Sequence, residues 1–458
     1  MKMSGFAIVS ALLTTLTMAP GANAQASHSD KPKDKAAYMQ ACPSLGFGFV
    51  QIPETTTCLK LGLDLLYEMR VDLVHNDFNA TSTQRLLGGV PVILPSVQNL
   101  WATANHSMPR LDIQMTALAV TPTDFGPLVV FADGRNAVDV TLANDRLVQT
   151  PTADFFLDQG WISWAGITAG HHQSYFDFTS PGYGYFGGYS SLRKTNLFAY
   201  SKALANIFSF SASLEDPTQR QQVDGVISGA GPQRWPDLVG QIRFAPKNAL
   251  FQLSGALHQN IDTTANACCN APVTSKEGYA LLAGMELRAH WSDYFGPKFS
   301  GMYGRLMVTA AYSRGALSYL GMPFFASDYV ADADGTIHLS SGYSALVSYE
   351  HLWTPFIKST FTFSGYDARM TSGLANLAAV SPTVTAATGF TTGLFNFNYE
   401  VRGWGAQFGN EYTPANGLIF GGEVNYTHDK IRATYAGVPG NPLSVNIWSG
   451  TVYVKRLF

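Results

Sequence analysis

Two adjacent histidines, His171 and His172, stand just ahead of Ser174 and Asp177, side chains of the types that ligate metals or act as hydrolytic nucleophile and base. Their spacing argues against both. Neighbours on a strand point to opposite faces, so the two rings cannot easily reach one ion, and no third ligand follows at zinc-site spacing. A hydrolase needs nucleophile, base and oxyanion donor in contact, and no motif here announces that set. The chain reads as a non-enzyme that uses no metal or cofactor.

A second set of ionisable groups suits a different chemistry. Lys60, Asp64, Glu68, Arg70 and Asp72 share one parity, and Leu59, Leu61, Leu63, Leu65, Tyr67, Met69, Val71 and Leu73 hold the other. Successive strand side chains alternate between faces, so one face is wholly apolar and the other carries five charges. Later segments repeat the pattern. Leu238, Gly240, Ile242 and Phe244 oppose Asp237, Gln241 and Arg243, and Phe395, Phe397, Tyr399 and Val401 oppose Asn396, Asn398, Glu400 and Arg402. Arg288 falls on a polar parity as well. Charges lining a water-filled passage replace part of an ion's hydration shell and bias which ions pass. The plainer alternative is that such charges only pair across strands within a solvated lumen.

The strand that positions the first set is long. Soluble strands usually run about 5–6 residues, whereas a tilted strand crossing lipid needs roughly 9–11. Composition agrees: charged residues make up 13% of the chain, aromatics another 13%, and glycines number 43, against about 25% charged residues in a typical soluble domain. No segment beyond the leader offers about 18 uninterrupted apolar residues, which argues against helical spans.

Residues 1–24, with Lys2, an apolar stretch from Phe6 to Met18 and Ala22-Asn23-Ala24, read as a secretory signal peptide. Residues 25–57 form a polar lead-in and a cysteine-bounded loop. A Cys42–Cys58 disulfide would close that loop just before the long strand in an exported chain; two free thiols are the alternative. The adjacent Cys268 and Cys269 are poorly placed to pair with each other and carry no assigned function. The net charge of −3 gives no basic balance suited to nucleic acid.

From residue 58 to 458 the pattern is one repeated unit, with short turns alternating with long irregular loops. The short turns are Thr121 to Pro127, Ala165-Gly166, Ala203 to Ile207, Pro246-Lys247-Asn248, Ser292 to Ser300, Trp353-Thr354-Pro355 and Thr413 to Gly417. This predicts an all-β fold, an antiparallel transmembrane β-barrel of about sixteen strands with short periplasmic turns and long outer loops.

The segment from Ala41 to Gly62, ACPSLGFGFVQIPETTTCLKLG, resembles the N-terminal signature of the alphaproteobacterial porin family, through Gly46-Phe47-Gly48-Phe49, Ile52-Pro53, Thr55 and Thr57-Cys58-Leu59. Further similar stretches follow in order at 166–178, 196–220 and 235–244. The apolar last strand ending in Phe458 resembles the assembly signal of outer-membrane barrels, which implies recognition by the barrel-assembly machinery. Arg456 departs from that signal and would have to sit at the membrane interface.

The resemblance implies a homotrimer in bacterial outer-membrane lipid, passing small hydrophilic solutes and ions by passive diffusion. A solute-specific channel, or a structural or adhesin barrel with an occluded lumen, is the alternative. It also implies a third outer loop, Asp177 to Lys194, folded into the barrel as the constriction. Family loops usually set carboxylates against a basic wall, but here Asp177 is the only carboxylate and Tyr183, Tyr185, Phe186 and Tyr189 dominate. The expected lining is therefore these five residues with Lys60, Asp64, Glu68, Arg70, Arg243 and Arg402.

Overall fold

Lipid offers no hydrogen-bond partner, so a chain that crosses it on strands must pair every backbone N–H and C=O with a neighbour and leave no edge. The computed structural model meets this demand with sixteen antiparallel wall strands. It describes residues 40–76, 85–87, 90–92, 106–143, 146–151, 155–178, 188–205, 207–221, 231–263, 273–290, 293, 301–322, 327–332, 335–375, 395–435, 438–439 and 442–458. The leader 1–24, Cys268, Cys269, Tyr183, Tyr185 and Phe186 lie outside the described residues.

In chain order the wall strands are β1 (Cys58–Asn76), β2 (His106–Thr121), β3 (Leu128–Ala143), β4 (Phe156–Trp164), β5 (Ile167–Gln173), β6 (Lys194–Ala205), β7 (Phe208–Glu215) and β8 (Asp237–Phe244). The second half runs β9 (Ala249–Asp262), β10 (Thr274–His290), β11 (Tyr303–Arg314), β12 (Ser341–Thr354), β13 (Ile357–Ala375), β14 (Phe395–Ala415), β15 (Leu418–Tyr435) and β16 (Leu443–Leu457). Each pairs with its sequence neighbours. β16 then pairs with β1, from Val445 opposite Asn76 to Leu457 opposite Asp64, and closes the ring.

The short turns fall where the sequence predicts them, although Ser292 to Ser300 lies largely outside the described residues. At Ala165-Gly166 both φ angles are positive, 51° and 88°, so the chain reverses in two residues as a tight hairpin requires. The other end of the barrel carries the outer loops L1 to L8, each joining an odd-numbered strand to the next.

On β1 the alternation holds throughout: Leu61, Leu63, Leu65, Tyr67, Met69, Val71 and Leu73 are exposed on the outer face, and the charged set points inward. Aromatics edge the apolar band. Phe125, Trp164, Phe208, Phe244, Trp353 and Phe356 lie near the short turns, and Tyr343, Trp404, Tyr426 and Trp448 nearer the loops. Tyr343 and Trp353 on β12 are about 26 Å apart along the barrel axis, at roughly 3.4 Å per residue and a tilt of about 40°, close to the roughly 25 Å expected of an outer-membrane barrel. Near the middle of the lipid face Ala212, Gly240 and Gly255 lie side by side on β7, β8 and β9, leaving a shallow groove edged by Phe198, Tyr200 and Leu257.

Cys42 and Cys58 form a disulfide. It ties a short strand pair, Gln40–Ala41 and Val50–Gln51, to the foot of β1, where Val50 pairs with Leu59. Phe49 is buried there against Cys42 and Val120. Arg456 points outward at the short-turn end, donating to the Asn416 carbonyl at 2.6 Å with its guanidinium over the Phe458 ring.

Leu253 lies mid-strand on β9 and is 62% exposed on the outer face. Leu253→Arg should cost about 2–4 kcal/mol, the penalty of a cation near the bilayer midplane. Urea titration of the vesicle-inserted protein reads this as an earlier unfolding midpoint. An unchanged midpoint would place Leu253 outside the lipid.

Candidate channel and its constricting loop

A closed barrel of this strand number is wide enough for an aqueous passage, so the site is whatever the inner wall and the infolded loops leave open. The third loop, L3, leaves β5 at Ser174 and rejoins the wall at Lys194. Its first leg lies against β8 to β10. Gln241 donates to the Tyr175 carbonyl at 2.6 Å, and Gln252 to the carbonyls of Phe176 and Asp177 at 3.3 and 3.1 Å. Phe178 presses onto Gly284 of β10, where a Cβ would come within 2.4 Å of the ring. Only glycine leaves room for that approach.

The returning leg reaches farther round. The Tyr189 amide donates to Ser364 Oγ at 3.0 Å, and the Tyr189 hydroxyl to Asp429 Oδ1 at 3.2 Å. Tyr366 donates to the same oxygen at 2.7 Å while its ring meets that of Tyr189 edge-on at 4.7 Å. Ser190 is 3.3 Å from the Thr309 hydroxyl on β11. The described part of L3 thus hugs the wall from β8 to β15 and leaves the β1 to β4 side open.

A buried polar cluster fixes the root of L3. Asp177 accepts from Gln173, from Ser191, from the Arg193 amide at 2.6 Å and from Arg220 Nη2 at 2.9 Å. Arg220 belongs to the fourth loop, is fully buried, and also donates to Ser191 Oγ at 2.7 Å. Its guanidinium lies 4.3 Å from the ring centre of Tyr319, on the short helix Leu317–Leu320 of the sixth loop. Tyr319 donates to Asp237 Oδ2 at 2.6 Å, and Asp237 also faces His258 Nδ1 at 2.9 Å. Three loops therefore meet in one network.

Burial disfavours the Arg220 charge, but Asp177, together with Tyr319 and Glu215, offsets it and the pKa is raised, so the group stays cationic. Burial, then the charge of Asp237, pushes the Tyr319 phenol well above its ordinary value and keeps it a donor.

The open side carries a descending row of arginines. Arg70 on β1 contacts Asp72 at 2.7 Å, Arg110 on β2 lies 3.7 and 3.4 Å from Glu68 and Asp112, and Arg135 on β3 lies 3.6 and 2.9 Å from Asp133 and Asp158. Exposure within these pairs is lopsided. The arginine side chains are 39%, 32% and 31% exposed, whereas Asp72, Glu68 and Asp133 are at 10%, 5% and 2%. The carboxylates lie against the wall and the guanidinium tips reach the water.

The expected lining residues separate accordingly. Arg70 and Glu68 both lie on the open side, paired with Asp72 and Arg110, while Asp64 pairs with Lys455 at 3.2 Å nearer the short-turn end. Lys60 sits lower still, 5.8 Å above the Phe49 ring. Arg243 points inward but on the L3 side, donating to Gln252 Oε1 at 2.8 Å.

Three expectations need correction. Asp177 is 1% exposed and spends its oxygens on the loop root, because a buried carboxylate needs donors on every side. Tyr189, 8% exposed, is an anchor of the loop to the far wall. Arg402 shares the parity of Trp404, Phe408 and Tyr412 and lies on the outer face, while Val401 and Gln407 point inward.

The two histidines behave as strand geometry requires. His172 packs inward against Trp161 and Tyr175, and His171 faces outward toward Asn196. No grouping of three metal-ligand residues occurs among the described residues. Arg110 and Arg135 went unnoticed in the sequence although Arg110-x-Asp112-x-Gln114 and Asp133-x-Arg135 alternate like β1. Arg220 had no comparable signal, because its partners come from two other loops, the third and the sixth.

Arg220→Leu should leave Asp177 buried without its cation, a local loss of about 3–5 kcal/mol. Amide exchange at 174–178 and 188–193 should quicken while the wall strands keep their protection. Unchanged exchange in those two stretches would remove Arg220 from the loop root.

No curated protein matches the chain. Among solved structures, the outer membrane channel DcaP of Acinetobacter baumannii is similar at 14% identity and a TM-score of 0.56, over 88% of this chain and 97% of that one. Pseudomonas putida OprB at high pH gives 12% identity and a TM-score of 0.47, over 87% and 94%. Salmonella typhi OmpF in complex with daunomycin gives 9% and 0.45, over 89% and 99%. The likeness to DcaP is one of fold. A family model described as the porin subfamily matches residues 31–446. With a closed sixteen-stranded wall and that match over most of its length, this chain belongs to the porin subfamily, as a channel barrel of the bacterial outer membrane.

Proposed function

We propose that the chain is a diffusion porin of alphaproteobacterial type, passing small hydrophilic solutes and ions down their gradients with a preference for anions. One observation carries the preference. On the wall that the described part of L3 leaves open, the guanidinium tips of Arg70, Arg110 and Arg135 face water while their carboxylate partners are buried. Basic side chains lining a pore favour anions. Arg70 and Arg110 are the residues a passing ion meets, with Glu68 and Asp72 holding them in place.

Size exclusion falls to L3. Its two described legs are held by Asp177 and Tyr189, and the family resemblance supports Tyr183, Tyr185 and Phe186 as the residues that narrow the bore. The family resemblance supports a homotrimer with contacts around the first and last strands. The apolar strand ending at Phe458 supports recognition by the assembly machinery.

Planar-bilayer recording of the purified protein tests the reading. Stepwise conductance is expected, with a reversal potential in a KCl gradient of the sign set by chloride. Arg70→Glu together with Arg110→Glu should shift it several-fold toward potassium permeability. No stepwise conductance would overturn the porin reading, a wild-type preference for potassium would overturn the anion bias, and a solute-saturable current would favour a specific channel. Tyr185→Ala with Phe186→Ala should raise the conductance and the size limit; unchanged values would exclude these two from the constriction.

A further inference from the structure

The outward position of Arg402 is part of a larger arrangement. Strand register places Arg314, Ser341, Arg369, Glu400 and Arg432 in one row across β11 to β15. The next row toward the membrane holds Tyr312, Tyr343, Asp367, Arg402 and Lys430, and the one after it Ala310, Ala345, Gly365, Trp404 and His428. All three rows have the parity of the lipid-facing wall. The basic groups thus begin one step above Trp404, in the row that also holds Tyr312 and Tyr343, at the height where headgroups meet the barrel.

Charge and spacing both favour an anionic occupant. Five cations share the two rows with two carboxylates, Asp367 and Glu400. The ion pairs within the patch are mostly loose. Arg402 donates closely to Glu400, but Arg369 lies 3.6 Å from both Asp367 and Glu400, Arg402 lies 3.6 Å from Asp367, and Arg432 lies 3.9 Å from Glu400. Their side chains are 68%, 43% and 48% exposed, open to a further partner. Arg314, Arg369 and Arg432 stand on alternate strands, about 10 Å apart, as a strand spacing near 4.8 Å requires. Arginine's planar fork suits phosphate oxygens.

We propose that this outward-facing basic rim on β11 to β15 binds the phosphate-bearing headgroups of outer-leaflet lipid, with the Trp404 and Tyr426 level beneath it meeting the acyl boundary. The rim faces away from the lumen, so it acts on how the barrel is held and packed in the membrane, independently of what the pore passes.

The full-length protein, reconstituted in phosphatidylcholine vesicles doped with bisphosphoryl lipid A, provides the test. After extraction and washing in detergent, the retained lipid A is measured by mass spectrometry. Arg314→Gln, Arg369→Gln and Arg432→Gln combined should lower the apparent affinity roughly ten-fold or more. Added salt should weaken wild-type retention. Lys202→Gln, exposed at the short-turn end, should change neither, and Arg432→Gln alone, a substitution at an exposed site, should give a partial loss if the triple variant folds poorly. Equal retention of fully dephosphorylated lipid A, or unchanged retention by the variants, would overturn the proposal. So would a change of oligomeric state with retention intact, which would make the rim a subunit contact. Single-channel conductance should be the same in all variants, so a failure here is distinct from a failure of the pore reading.

Discussion

Backbone hydrogen bonding in lipid is the constraint on which the rest of the molecule depends. Because hydrocarbon cannot solvate an N–H or a C=O, the sheet must close, and the pairing of β16 with β1 is what removes the last edge. Closure then gives parity its meaning. A residue one step along a strand moves from lipid to lumen, so Leu65 and Asp64 face opposite solvents although they are neighbours in sequence.

Parity alone does not make a passage. The lumen has to be kept open on one side and filled on the other, and that asymmetry comes from the loops. L3 crosses toward β15 and is locked at both ends, by Asp177 with Arg220 and by Tyr189 with Asp429. Burying Arg220 costs solvation that the pair with Asp177 must offset, so the network serves position more than stability. The sixth loop adds Leu317, Tyr319 and Leu320, all fully buried, to the same filled side. Among the described residues, what remains open is the wall of β1 to β4, where each arginine is steadied by a carboxylate behind it.

Parts of this were legible in the residues. The run from Leu59 to Leu73 alternates almost without error, Leu66 being the exception on the charged parity, and it became β1 with its apolar set outward and its charged set inward. The turns were legible because a tight reversal has few chemistries, as at Ala165-Gly166. Arg402 shows where the reasoning stops. A polar parity indicates the lumen only between the two aromatic levels; above Trp404 the outer face meets headgroups and water, and charge is tolerated there too. Nothing in the run from Phe395 to Arg402 marks where the hydrocarbon ends.

The sequence by itself determined an antiparallel barrel of about sixteen strands, because this follows from local periodicity, turn chemistry and composition, while for Cys42 and Cys58 it allowed either a disulfide or two free thiols. Only the tertiary structure decided which of the candidate side chains face the lumen and which are held by other groups. Asp177, Tyr189 and Arg402 all look like lining residues in the chain, yet one is a root, one an anchor and one part of the outer rim. Their roles depend on partners far away in sequence, such as Arg220, Asp429 and Asp367. Those contacts form only when the sheet has closed and brought distant strands and loops face to face.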